Sequence, residues 1–168
     1  MDATLIRAFV SSIQNVFSTM LQLPVTVGEP YLKGPTGPET DISGIIGMSG
    51  DIVGSVVLSF PSSTAVAVVA IFAGAKYDVG SSDFADAVGE LVNMVSGGAK
   101  GQFKNKKASI SCPSVVIGGK HRIAGPSDVP CIVIPIKTDC GDLFIEVAIQ
   151  ERENSEGAAQ ASTRSAAN

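Results

Sequence analysis

Tryptophan is absent from the 168-residue chain, aromatic residues make up only 5% of it, and histidine occurs once. A core must therefore be assembled from Val, Ile, Leu, Ala and the seven Phe residues, close-packed against many glycines, which suits a mixture of helix and sheet. Cysteine is almost as scarce. Cys112, Cys131 and Cys140 form no Cys-x-x-Cys pair, and their odd number argues against a disulfide framework. Together with His121 they make four nominal zinc ligands, but the spacings match no zinc pattern. The thiols read as small buried hydrophobes in a reducing, cytoplasmic compartment and His121 as a surface residue.

Positive charge is in the minority. Twelve Lys and Arg against 16 Asp and Glu leave a net charge of −4, which disfavours a nucleic acid partner, because phosphate backbones are gripped by clustered cations. The one basic cluster, Lys100, Lys104, Lys106 and Lys107, reads as a solvated helix end whose charge complements the helix dipole. Membrane signals are missing too. Ile52 to Ala75 is uncharged and long enough to span a bilayer, but Pro61 with Ser59, Ser62 and Ser63 divides it into a strand end and a helix start. The N-terminus carries Asp2 where a signal peptide would be basic.

What is present is a 45% hydrophobic chain of a length that supports one sizeable core. From Ala3 to Leu21, residues Leu5, Ile6, Phe9, Val10, Ile13, Val16, Phe17 and Met20 recur every three or four positions and predict an amphipathic helix. Pro24 ends it, Val25 to Val27 is extended, and the Gly and Pro residues from Gly28 to Pro38 predict a loop. Ile42 to Met48 and Ile52 to Phe60, parted by Ser49, Gly50 and Asp51, predict a hairpin. Pro61 to Ala73 predicts a second helix, apolar nearly all round and so expected between layers.

A third helix is expected from about Asp83 to Lys104, capped by Ser82 or Asp83. Short strands follow at Ala108 to Cys112 and Val115 to Ile117, then a Gly-rich turn and a strand at Lys120 to Ala124. Cys131 to Thr138 and Leu143 to Ile149 predict a second hairpin. Residues 151–168 contain no large apolar side chain and are expected to stay disordered. The reading is an α+β domain over residues 1–150, a mainly antiparallel sheet with two long helices and an N-terminal helix on one face, followed by a tail.

On the third helix, Phe84, Val88, Leu91, Val95, Ala99 and Phe103 fall on one side. Asp86, Glu90, Asn93, Gly97 and Lys100 form a polar stripe opposite. Asp86 and Glu90 are like charges one turn apart, and Gly97 and Gly98 weaken the helix, so stability alone would not select this stripe. Polar stripes are common, however, and most are merely solvated.

The segment DAVGELVNMVSGGAK, Asp86 to Lys100, resembles the signature helix of the CheC, CheX and FliY phosphatases: Asp or Ser, three residues, Glu, two residues, Asn. The hairpin IIGMSGDIVGSVVLSF and the later SISCPSVVIGG also resemble that family, so the likeness covers roughly Leu5 to Ile149. One copy of the motif, with no Glu-x-x-Asn in the first helix, looks most like the CheX branch.

The resemblance implies an enzyme that hydrolyses the aspartyl phosphate of a CheY-type response regulator. Asn93 would position the attacking water, and Glu90 would dock the receiver's lysine. Asp86, Gly97 and Lys100 would contact the partner, which would bring the Mg²⁺, and the chain itself would hold no metal. A homodimer is implied as well, with one active helix per subunit. The resemblance also admits a non-catalytic docking module of the flagellar-switch kind. A hydrolase pairing His121 with a cysteine finds no recognisable nucleophile motif in the sequence.

Overall fold

The computed structural model describes residues 3–152. Its elements run α1 (Ala3–Met20), β1 (Thr26–Val27), β2 (Tyr31–Leu32), β3 (Thr40–Gly50), β4 (Ile52–Phe60), α2 (Ser62–Ala73), α3 (Ser82–Lys100), β5 (Ala108–Ile110), β6 (Ser114–His121), β7 (Ile132–Thr138) and β8 (Gly141–Glu151). All strands pair antiparallel in one sheet of order β1-β7-β8-β4-β3-β5, with β2 beside β7 and β6 beside β3. This is the expected α+β architecture. No described helix is long and apolar enough to cross a membrane.

Side chains alternate across the pleat. Ile42, Ile46, Val56, Leu58, Ile145 and Val147 bury themselves under the helices in one continuous core. A Cβ built on Gly44 would stand 2.9 Å from Val92 Cγ1, so the missing side chain on β3 is what lets α3 lie directly on the sheet. A Cβ on Gly98 would collide with Ser12 Oγ, and that close approach of α1 to α3 is secured by Ser12 Oγ donating to Val95 O at 2.7 Å.

Several boundaries differ from expectation. The helix α3 stops at Lys100, after which Gln102 and Phe103 make tight backbone turns to Ala99 and Lys100. Lys104 is therefore outside it, and Phe103 packs from the following turn against Phe9, ring centroids 6.2 Å apart. The loop after β1 contains the short strand β2. The Gly118 and Gly119 pair does not end β6, which continues to His121 through a shift of register against β3, and the strand expected from Lys120 to Ala124 stops at His121. The helix α2 is not enclosed: only Thr64, Ala65, Val68 and Val69 are buried, and Ile71 faces solvent. The strand β8 takes in Glu151, and Arg152 donates to Asp51 O at 2.8 Å. The remainder of the expected tail lies outside the described residues.

The other face of the sheet is buried by polar contacts that join distant segments. Lys33, from the loop after β2, pairs with Glu146 on β8 and donates to Ile123 O. Both side chains are nearly excluded from water, 11% and 3% exposed. His121 is half-buried rather than superficial: one ring nitrogen lies 2.8 Å from Ser43 Oγ and the other 2.8 Å from Gly118 O. Asp41 supplies the cap that Pro61 cannot, accepting from Ser62 N–H at 2.8 Å and from Lys120 N–H at 3.1 Å. Those donors, the Ser62 amide first, hold the Asp41 carboxyl below its ordinary value of 3.8.

Removing one member of a buried ion pair strands the other, so Glu146→Ala lowers stability by about 3 kcal/mol, whereas Lys33→Met with Glu146→Leu restores most of it. Urea denaturation checks both, and a Glu146→Ala protein as stable as the parent would contradict the pairing. Asp41 has a depressed folded pKa, so its contribution is complete above the unfolded value near 3.8 and is lost as pH falls through the folded value. The melting temperature of Asp41→Asn therefore lies below that of the parent at neutral pH, and the gap narrows as the pH falls below 3.8, closing only below the depressed folded value.

Candidate functional site

The helix that carries the motif begins at an N-cap one residue earlier than expected, Ser81, whose Oγ accepts from Phe84 N–H at 3.2 Å. Asp83 in its first turn and Lys100 in its last oppose the helix dipole with the favourable signs. Phe84, Val88, Leu91, Val95 and Ala99 are buried, and this anchored face aims the opposite one outward. Asp86, Glu90 and Lys100 are exposed there, with Asn93 and Gly97 half-exposed among them.

Glu90 and Asn93 stand one turn apart, which puts their Cβ atoms about 5–6 Å from each other on one surface. Among the described residues neither spends its side chain on a hydrogen bond or ion pair within the chain, and the same holds for Asp86. The two glycines in this helix differ in origin. Gly98 is required by α1, as described above, whereas a Cβ on Gly97 would meet only Ile110 Cδ1, at an ordinary 3.9 Å. Packing therefore explains Gly98 and leaves Gly97 as a flat patch one turn beyond Asn93.

Beside Glu90 lies a shallow groove of about 520 Å³ between α3 and the start of β6, with Gly89, Pro113 and Val115 as its floor and Asp86 and Glu90 on its wall. A Cβ on Gly89 would stand 3.1 Å from the Pro113 ring, so a larger residue would narrow it. A separate cavity of about 710 Å³ lies between the segments 32–37 and 122–131 and includes no residue of α3. The stripe thus borders a shallow groove on the side of Asp86 and Glu90, and Asn93, Gly97 and Lys100 lie outside that groove.

The alternative pairing of His121 with a cysteine is not assembled. The hydroxyl bonded to His121 is Ser43, which is fully buried beneath the sheet and closed to substrate. Burial raises the Cys131 thiol, with Glu146 adding to the effect, and burial likewise raises Cys140, so both hold their protons more tightly than a free thiol. Cys112 is exposed and Cys131 and Cys140 are half-buried, contrary to the expectation of three buried thiols.

Comparison with known proteins places these features. The family model for the chemotaxis phosphatase CheX matches residues 42–137, which include the whole of α3. The CheY-P phosphatase CheX of Thermotoga maritima is 31% identical over 126 residues, 73% of this chain and 81% of that protein. A CheC-like superfamily protein from Shewanella sp. PV-4 superposes with a TM-score of 0.82 at 33% identity, over 89% of this chain and 99% of that one. The CheX–CheY–BeF₃–Mg²⁺ complex of Borrelia burgdorferi has the same fold, with a TM-score of 0.73 at 22% identity over 88% of this chain and 98% of that one. With a family model over more than half its length and a relative above 30% identity, this chain belongs to the CheX chemotaxis phosphatase family.

Proposed function

We propose that this protein is a cytoplasmic phosphatase that hydrolyses the aspartyl phosphate of a CheY-type response regulator, with Asn93 and Glu90 as its working groups. The observation that carries the reading is the pair itself: a carboxamide and a carboxylate one turn apart on the outer face of an anchored helix, both without a hydrogen-bonding or ionic partner among the described residues. The family to which the chain belongs and its CheY-P phosphatase relative in Thermotoga maritima support it.

An aspartyl phosphate is an acyl phosphate, and the receiver domain that carries it would bring its own Mg²⁺ and lysine to balance the charge on the phosphoryl oxygens. What such a site lacks is a water held in line with the phosphorus. The Asn93 amide offers both a donor and an acceptor to that water and carries no charge to titrate. Attack forms the new P–O bond while the bond from phosphorus to the aspartate oxygen breaks, yielding inorganic phosphate and a free carboxylate. The proton of the water passes to the departing phosphate or to solvent.

Glu90 would receive the receiver's lysine in a charge-assisted hydrogen bond, seating the helix over the phosphoryl pocket. Asp86, Gly97 and Lys100 would complete the contact, with Gly97 supplying clearance beside Asn93. We also propose a homodimer joined through sheet edges, each protomer presenting its own α3. The uncharged stretch of β6 from Ser114 to Gly119, at the sheet margin beside β3, suits such pairing.

Phosphate release from a phosphorylated receiver domain in Mg²⁺ tests the assignment. Asn93→Ala lowers turnover on the order of 10²-fold while the receiver still binds, because a misplaced nucleophile costs about that much. Glu90→Ala instead raises KM roughly tenfold, the loss of one charge-assisted hydrogen bond. Unchanged turnover in Asn93→Ala removes the amide from the mechanism, and a parent protein that binds the receiver without releasing phosphate is a docking module and no enzyme.

A further inference from the structure

The chain contains the same unit twice. Exchanging α1-β1-β2-β3-β4 with α3-β5-β6-β7-β8 turns the sheet order into its own reverse, with β4 and β8 adjacent at the centre and the short pairs β1, β2 and β5, β6 at the margins. The helices obey the same exchange. When Leu5 is laid on Phe84, every buried residue of α1 falls on a buried residue of α3: Ala8 on Ala87, Phe9 on Val88, Ser12 on Leu91, Ile13 on Val92, Val16 on Val95 and Phe17 on Ser96. The turns that follow match as well, since Pro30 immediately precedes β2 as Pro113 immediately precedes β6.

The groove beside Glu90 therefore has a counterpart beside α1. A hollow of about 500 Å³ lies there, between α1 and the turn into β2, and where the first groove has Ala85, Asp86, Pro113 and Val115 it has Ile6, Arg7, Pro30 and Leu32. Its shape is repeated but its chemistry is reversed. Arg7 replaces an acidic residue, Ser11 and Gln14 stand in the places of Glu90 and Asn93, and α1 contains no carboxylate at all. Its floor is apolar and open: Tyr31 is 44% and Leu32 65% exposed, the latter the most exposed of the large apolar side chains among the described residues. Among the described residues Arg7 has no hydrogen-bonding or ionic partner within the chain.

We infer that this second groove docks an extended peptide segment of a protein partner, one that presents a large apolar side chain flanked by carboxylates. The apolar side chain would cover Tyr31 and Leu32 while a neighbouring carboxylate meets Arg7 in a charge-assisted pair. Among the described residues the strand β2 pairs only with β7, so its outer edge can take the peptide backbone as an added strand. Other occupants fit less well. Residues 151–168 of this chain include no large apolar side chain to fill the hollow. A second copy of the same face brings another Arg7, and the hollow's own lining offers that arginine no carboxylate. A lysine-presenting receiver surface, of the kind proposed for α3, would meet a cation here instead of Asp86.

The test uses the full chain and a short fluorescein-labelled peptide of alternating Leu and Asp, followed by fluorescence anisotropy. Two control peptides carry Ser in place of Leu, or Lys in place of Asp. The parent protein binds the Leu and Asp peptide saturably and each control roughly tenfold or more weakly, the equivalent of one good contact. Arg7→Glu reverses the preference toward the Lys peptide and Leu32→Asp binds none of them, while both variants keep the parent's rate of phosphate release from a phosphorylated receiver. Because that rate is read separately, the groove and the phosphatase assignment succeed or fail independently. Absence of peptide binding, or equal binding by Arg7→Glu, overturns the inference. So does a parent dimer in sedimentation that Leu32→Asp converts to monomer without any peptide affinity in the parent, since the face then belongs to a second copy.

Discussion

The close seat of α3 on β3 is the constraint from which the rest of the molecule takes its form. At Gly44 the sheet offers no side chain, and Val92 and Val88 settle into the space a Cβ would occupy. A helix held that near its sheet has little freedom to rotate, because the packed interior answers small displacements with lost contacts or overlaps. Gly98 imposes a second condition from the opposite flank, where α1 approaches closely enough for Ser12 to reach the Val95 carbonyl. Two glycines, one on the sheet and one on the helix, thereby decide which residues of α3 are buried and which project.

That orientation matters because the proposed chemistry needs direction more than depth. A side chain that acts inside another protein's pocket must stand on a rigid element and point away from its own core, and helices hold such geometry better than loops do. Glu90 and Asn93 satisfy both conditions, and the nearest hollow is shallow and flanks them without enclosing them. The like charges at Asp86 and Glu90 cost the isolated helix a few tenths of a kcal/mol. A partner that brings a cation relieves that repulsion, which makes the uncomplexed surface slightly unfavourable and the complexed one less so.

How much of this was legible in the sequence depends on the range of the interaction. The helices α1 and α3 and the two hairpins announce themselves through local periodicity, since each buries one face against a continuous core. The core face of α3 and the stripe opposite could be read from a helical wheel. Contacts between distant segments could not: nothing near Lys33 announces Glu146, nothing near Pro61 announces that Asp41 will cap its helix, and nothing near His121 announces Ser43. The strand β6 was read as two because a Gly-Gly pair normally signals a turn. Here β3 pairs on both sides of it, with Ile117 and with His121, and the ladder crosses the glycines through a shift of register. The same long-range pairing turns the short Tyr31 and Leu32 segment into a strand inside a loop that Gly and Pro dominate.

The duplicated architecture explains why two surfaces of one small protein can differ so sharply while their interiors agree. Buried positions are tied to each other by packing, and a change of even one methylene there is felt throughout the core. Exposed positions away from such contacts shift stability by only about half a kcal/mol. Every buried position of α1 thus recurs in α3, while the outer stripe runs Arg7, Ser11 and Gln14 on one helix and Asp86, Glu90 and Asn93 on the other. A fold that fixes where each helix lies, and leaves its outer face unconstrained, can present opposite charge at two equivalent grooves without any cost to its core. Each groove then selects its partner through the few side chains that packing does not dictate.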